Sequence, residues 1–247
     1  MTLPLFLVDA AVLDGARPGT AVALEGAEGR HAATVRRIAA GEELLLSDGA
    51  GTRARCRVTA ADRDRLELTV LELTEDPEPQ PRLVLVQALA KGDRDDQAIE
   101  AATELGVDEV VPWQAARSIV QWRGERGAKA ARKWESALVA AAKQSRRSRV
   151  PVLAPLVDTP ALAARARDAA LALVLHEDAT EPLATVELPS AGDVLVVVGP
   201  EGGIGVEELS TLTEAGGRAV RLGATVLRSS SAGPAALAVL SARQRWR

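Results

Sequence analysis

Aromatic side chains are nearly missing from this 247-residue chain: one phenylalanine, no tyrosine and four tryptophans make 2% of it. Few rings remain to stack on bases or sugars, and the core must be built from the aliphatic residues that dominate a 47% hydrophobic composition. Cysteine occurs once, at Cys56, which excludes an internal disulfide and fits a reducing compartment. Long apolar runs are absent too. The longest, residues 194–198, has the length of a buried strand, far short of the ~18 residues that span a bilayer. Residues 1–9 carry no basic region and reach an acid at Asp9, so no targeting segment is expected and the chain reads as soluble and cytoplasmic.

What is present bounds the answer further. At 26% charged residues the chain is neither disordered nor collagen-like, and its length suits one large domain or two small ones. Residues 74–81, Thr-Glu-Asp-Pro-Glu-Pro-Gln-Pro, set three prolines among acids between apolar segments, which marks a boundary. The expected division is a first domain over 1–76, a linker at 77–81 and a second domain over 82–247. Before the linker the pattern is of short strands at 21–24, 43–46, 52–58 and 66–73, the last alternating with period two, as in a small β-barrel or sandwich. After it, strands at 83–89, 107–113, 171–176, 194–198 and 219–222 alternate with helices at 95–105, 126–145, 161–170, 206–215 and 234–244. Apolar strands joined through helices predict an α/β domain with a parallel sheet covered on both faces.

Net charge is −4, from 30 Lys and Arg against 34 Asp and Glu, and taken whole this speaks against a nucleic-acid partner. Its distribution says the opposite. Between Arg117 and Arg149 stand ten Lys and Arg against two acids, Glu125 and Glu135. That local excess of +8 leaves −12 on the rest of the chain. A solvated face normally mixes signs, whereas a block this dense tracks a phosphate backbone. Arg36-Arg37 and the tail Arg243, Arg245 and Arg247 are weaker clusters.

Two segments carry the chemistry. In residues 194–209 a buried strand runs into Gly199-Pro200-Glu201-Gly202-Gly203-Ile204-Gly205 and then a helix, where α/β proteins bind ligands. The loop is neither a Walker A motif nor a GxGxxG fingerprint, and a tight βα turn also explains it. The second segment, residues 220–234, has a Gly turn at Leu222-Gly223, then Leu227-Arg228 and three hydroxyls, Ser229 to Ser231, ahead of Pro234. Serine at this place caps a helix and proline suits its first turn, but capping accounts for neither Arg228 nor the turn.

Together these segments resemble the RsmE family of SPOUT-class RNA methyltransferases. The resemblance runs along nearly the whole chain. It includes Arg30-His31 through Arg36-Arg37-Ile38, Lys91-Gly92-Asp93-Arg94, Thr103-Glu104-Leu105-Gly106, Arg117-Ser118, Lys133-Trp134, and residues 141–146. Two departures are that Ser230 stands where the family often has Glu, and Ala101 where it often has Lys. The resemblance implies a SPOUT α/β-knot, a parallel sheet with a C-terminal trefoil knot, preceded by a PUA-like β-barrel domain that binds RNA. It implies a homodimer, S-adenosyl-L-methionine as cofactor, small-subunit (16S) ribosomal RNA or the 30S particle as partner, and no metal or membrane. Cofactor contacts are implied for Leu175, His176, Gly199, Pro200, Glu201, Gly202, Gly203, Leu222, Gly223, Leu227, Ser229, Ser231 and Ala232. RNA contacts are implied for Arg36, Arg37, Lys91, Arg94, Arg117, Arg146 and Arg147, with His31 structural or RNA-orienting.

The implied reaction is methylation of uridine N3. That nitrogen carries a proton and offers no in-plane lone pair until the proton leaves, so charge spreading onto O2 and O4 needs a donor. Arg228 is the candidate stabiliser and Glu201 the second catalytic candidate, as a proton acceptor, a loop brace or a partner to the cationic cofactor. Three other readings stay open: a SPOUT ribose 2′-O-methyltransferase, a non-catalytic RNA-binding ribosome-assembly factor, and a nucleotide-cofactor oxidoreductase, against which the missing GxGxxG argues.

Overall fold

A computed structural model describes residues 3–246 of the protein, and they form two compact units. The first runs to Glu78 and takes in Ala142–Val150; the second comprises Pro79–Ala141 and the chain from Pro151 onward. The break after Glu78 lies inside the proline-rich stretch. The return of residues 142–150 to the first unit carries no composition signal and differs from the single boundary expected.

In the first unit, β1 (Leu5–Leu7), β2 (Ala21–Leu24), β3 (Glu43–Ser47), β4 (Thr52–Ala61) and β5 (Leu66–Glu75) make one curled sheet in the order β1-β3-β4-β5-β2. All its ladders are antiparallel except β1 with β3. Alternation does the sorting. Ala54, Cys56 and Val58 of β4 and Leu66, Leu68 and Val70 of β5 turn inward to Phe6, Leu44 and Leu46. Arg53, Arg55 and Arg57 turn outward and pair with Asp76, Glu43 and Glu72. Burial pushes the Cys56 thiol up to about 12, so it stays protonated and behaves as a small apolar residue. Short helices α1 (Ala10–Leu13) and α2 (Gly26–Arg30) precede a π-helical turn, His31–Val35, in which the His31 ring lies 6.1 Å from Phe6.

The second unit holds β6 (Arg82–Ala88), β7 (Glu109–Trp113), β8 (Val152–Leu153), β9 (Leu171–Leu175), β10 (Glu181–Pro182), β11 (Asp193–Val198) and β12 (Arg218–Arg221). They form a seven-stranded sheet in the order β10-β12-β9-β11-β6-β7-β8, every pair parallel. Its helices are α3 (Arg94–Glu104), α4 (Gly124–Gln144), α5 (Thr159–Asp168), α6 (Val206–Glu214) and α7 (Ser229–Gln244). Val84, Val86, Leu195 and Val197 face α5 and α6 through Leu162 and Leu212, while α3 and α7 pack together and α7 lies on β6 and β11. Both faces are covered, which is why these strands read as continuous apolar runs.

The structure corrects the last helix. It starts at Ser229, five residues before Pro234, with Arg228 as its N-cap and no side-chain capping bond. Proline in the second turn costs a hydrogen bond, but burial of Ser229, Gly233, Pro234 and Leu237 holds the turn in place. The C-terminal arginines are partly structural: Arg245 Nη1 donates to the Gly106 carbonyl at 2.6 Å and its other nitrogen pairs with Asp108, while Arg247 lies outside the described residues. No described helix is long and apolar enough to cross a membrane.

Trp113 is fully buried in the face shared with α5 and α6, and its indole N–H donates to Thr159 Oγ1 at 3.3 Å. Trp113→Ala is expected to cost about 3–5 kcal/mol in denaturant titration of the full chain, from lost transfer energy plus a cavity. A loss below about 1 kcal/mol would contradict this packing.

Candidate active site

Loops leaving the C-terminal ends of β6, β7, β9, β11 and β12 converge on a cleft of about 630 Å³, the ligand position of open parallel sheets. The loop after β11 is shaped by two glycines. A Cβ on Gly199 would stand 2.7 Å from the Ile204 side chain, and Gly203 has φ +73°. The Gly203 N–H closes the turn on the Pro200 carbonyl at 2.9 Å.

One carboxylate ties this loop to its neighbours. Glu208, 7% exposed in the first turn of α6, accepts from the Gly205 N–H at 3.1 Å, which caps its own helix. Its other oxygen accepts from the Ala116 N–H at 2.8 Å and from Thr159 Oγ1 at 2.9 Å. Ala116 precedes Arg117, whose Nη1 donates back to the Gly202 carbonyl at 2.8 Å. The loop after β7 is thereby pinned against the glycine loop from two sides.

Glu201 provides the second tie. Its Oε1 accepts from the Lys91 N–H at 3.0 Å and from Arg94 Nη1 at 2.8 Å. Burial alone would raise this carboxyl, but hydrogen bonds from backbone N–H groups and Arg94 outweigh it and hold it below the usual carboxylate range. A carboxylate so engaged is a poor proton acceptor and a good brace. Beside Arg94, Asp95 shows the opposite balance. It is buried with no cation in ion-pair contact among the described residues, and desolvation pushes it up to about 6 despite its hydrogen bond from the Asp96 N–H.

Most of the residues singled out from sequence meet here. Leu175, His176, Gly199, Pro200, Glu201, Gly202, Gly203, Leu222, Gly223, Leu227, Ser229 and Ala232 line the cleft, as do Arg228, Arg94 and Arg117. Ser231 does not, because α7 has begun at Ser229: Ala232 repeats the direction of Ser229 one turn on, while Ser231 points away. The Ser229 hydroxyl is buried and has no hydrogen-bond partner among the described residues. His176 holds the cleft end of β9, donating its N–H to the Val220 carbonyl at 2.9 Å while Nδ1 accepts from the Asp178 N–H at 3.3 Å. Arg36, Arg37, Arg146 and Arg147 belong to the first unit, where Arg37 and Arg146 have φ +54° and +57°. Glu177, expected beside His176 at the end of its strand, lines the cleft as well, and so do Arg221 and Asp178, which were not read from sequence. Glu208 was missed as well, although a glutamate three residues after Gly205 is a capping-box spacing. Among the described residues no group of three or more His, Cys, Asp or Glu is placed to hold a metal ion.

Comparison with known proteins gives a consistent result. Residues 76–241 match the RNA methyltransferase domain family and residues 24–71 the RNA methyltransferase PUA domain family. The ribosomal RNA small subunit methyltransferase E of Mycobacterium bovis is 45% identical over 233 residues, covering 92% of this chain and 89% of that protein. The protein of the same name from Bacillus subtilis is 29% identical over 226 residues, covering 88% of each. A crystal structure of the Neisseria gonorrhoeae ribosomal RNA small subunit methyltransferase E bound to S-adenosyl methionine superposes with a TM-score of 0.84 at 29% identity, covering 98% of each chain. The resemblance read from the motifs and the expected α/β fold with a small β domain ahead of it are borne out.

Asp95 makes a prediction with a definite sign. Its folded-state value lies above its unfolded one, so the folded chain binds the extra proton between about pH 4 and 6, and stability falls as pH rises through that window. Asp95→Asn removes the charge but keeps an acceptor for the Asp96 N–H. It is expected to stabilise the protein by roughly 1–3 kcal/mol at pH 7–8. The gain should vanish below about pH 4, measured by thermal melts across pH; a gain independent of pH would exclude this cause.

Proposed function

The chain belongs to the ribosomal RNA small subunit methyltransferase E family, and on that premise we propose that it methylates N3 of one specific uridine in small-subunit ribosomal RNA. It is an S-adenosylmethionine-dependent ribosomal RNA methyltransferase. The observation that carries the finer reading is the meeting of the 199–203 glycine loop, the Leu222-Gly223 turn and Arg228 in one cleft.

The cleft suits this cofactor. Its volume is that of a small-molecule site, and its glycine wall presents backbone without side chains to be displaced. The unpartnered Ser229 hydroxyl is a buried polar atom waiting for a bond. Gly199, Pro200, Gly202, Gly203, Leu222, Gly223, Leu227, Ser229 and Ala232 would hold it, with Leu175 and His176 at the end of β9. When bound, it supplies an electrophilic methyl group on a cationic sulfur.

The chain's own residues do the rest. Arg228, exposed at the start of α7 and without an acid partner among the described residues, lines the cleft from its N-cap position. Its guanidinium stabilises the negative charge that spreads onto uracil O2 and O4 as the N3 proton leaves. Glu201 acts through position: its bonds to Lys91 and Arg94 hold the glycine loop open. Arg94 and Arg117, both in the cleft wall, would touch the RNA around the target base. The same reading gives RNA contacts to Lys91 and, in the first unit, to Arg36, Arg37, Arg146 and Arg147. The same reading includes a homodimer, the C-terminal knot and action in the cytoplasm on 16S RNA or the 30S particle.

The deciding experiment maps small-subunit ribosomal RNA from cells lacking the protein. Loss of one N3-methyluridine, restored by wild type, supports the reading; loss of a ribose methyl with N3-methyluridine intact overturns it. Gly202→Trp is expected to abolish cofactor binding by calorimetry, because even a Cβ there would stand 3.2 Å from Arg117 Cβ. Arg228→Ala should lower kcat by about 10²–10³-fold with cofactor affinity little changed. An unchanged kcat would remove Arg228 from the mechanism.

A further inference from the structure

The ten cations between Arg117 and Arg149 are not equivalent once folded. Arg117 is bound to the Gly202 carbonyl, Lys133 to Asp96 and Asp93, Lys143 to Glu28, and Arg149 to the Asp76 carbonyl. Four others stand apart. Arg123, just ahead of α4, and Arg126, Lys129 and Arg132 within it are exposed, and none has an acid partner among the described residues, although Glu125 and Glu135 stand on the same helix. The outward arginines of the β4 strand meet their acids across the sheet, which is how a solvated face ordinarily settles its charge. Here three cations recur every three residues over about 9 Å of helix, with no acid among the described residues paired to them.

The helix bearing three of them is held rigidly. Trp134 of α4 is 2% exposed and meets Trp122 edge-to-face at 4.8 Å between ring centroids. Gly127 lets Trp122 fold back over the first turn, since a Cβ there would lie 2.7 Å from the Trp122 backbone. The helix is also connected to the active cleft. Lys133 bonds Asp96 in the first turn of α3, where Arg94 reaches across to Glu201 of the glycine loop. The unpaired cations and the cleft therefore sit on one frame within one unit.

We propose that Arg123, Arg126, Lys129 and Arg132 form a phosphate-tracking face that takes the RNA backbone flanking the target nucleotide. The proposal rests on the reading of the chain as an RNA methyltransferase and adds a surface outside its cleft and outside its β domain. Because the ligand is a chain of phosphates, charge matters more than the shape of each side chain.

The test titrates the full-length protein with a small-subunit ribosomal RNA fragment at several salt concentrations. Arg126→Gln, Lys129→Gln and Arg132→Gln combined should weaken RNA binding at least tenfold near 0.1 M salt. The slope of log affinity against log salt should shrink in magnitude by about 2–3, the share of three phosphate contacts. Calorimetric affinity for S-adenosylmethionine should be retained, which shows that the variant folds. Arg126→Lys with Arg132→Lys, which keeps the charge, should bind RNA within a few-fold of wild type. RNA affinity and salt slope both unchanged in the glutamine variant would overturn the proposal, as would a changed oligomeric mass with RNA binding intact, which would mark the face as a contact between copies. A wild-type chain that binds neither the RNA nor S-adenosylmethionine would overturn the underlying reading instead.

Discussion

The site depends on one buried carboxylate. Glu208 closes the first turn of α6 on Gly205, accepts the Ala116 N–H from the loop after β7, and takes the Thr159 hydroxyl from the start of α5. Two segments far apart in sequence, the loop after β7 and the start of α5, are thus fixed relative to the glycine loop by a single side chain. Burying a carboxylate is costly unless its oxygens are satisfied, and here both are. The arrangement also hands Thr159 on to the indole N–H of Trp113, so the ligand-facing loops are referenced to the core of the sheet. A loop rich in glycine has little rigidity of its own, and this network supplies it from outside.

Charge organises the remainder of the second unit. Glu201 and Arg94 bind the glycine loop to the start of α3, Lys133 binds α4 to the same turn, and Arg245 fastens the C-terminal end to Asp108 and the Gly106 carbonyl. Two acids side by side at the start of α3 have opposite fates. Asp96 is exposed enough to pair with Lys133, while Asp95 is turned inward, where burial pushes its carboxyl up to about 6. At α7, Ser230 occupies a first-turn position where a carboxylate would have favoured the helix dipole, and the start of that helix relies on burial instead.

Much of this was legible beforehand, for identifiable reasons. Strands of the first unit announced themselves by alternation, since one face meets the core and the other meets water; Arg53, Arg55 and Arg57 interleave with Ala54, Cys56 and Val58. Strands of the second unit showed as unbroken apolar runs because helices cover both faces. The cleft residues were found because a glycine loop and a Gly turn need unusual backbone, which only a few residue types allow. Ser231 was misplaced because helix phase decides which hydroxyl faces the cleft, and the true start at Ser229 is set by packing that Pro234 conceals. The short strands β1, β8 and β10 carry too few residues to show any period.

By itself the sequence determined the class of fold, the order of its elements, the two segments that build the cleft and the net excess of cations over residues 117–149. These follow from periodicity, backbone freedom and composition, which act locally. Tertiary structure alone decided which partner each charge meets. It spent Lys133, Lys143 and Arg149 on internal bonds and left Arg123, Arg126, Lys129 and Arg132 without an acid partner among the described residues. It turned Glu201 into a brace, and it gave Glu208 contacts 92 and 49 residues away. Coulombic and hydrogen-bonding interactions depend on distance in space, and no spacing along the chain encodes that distance.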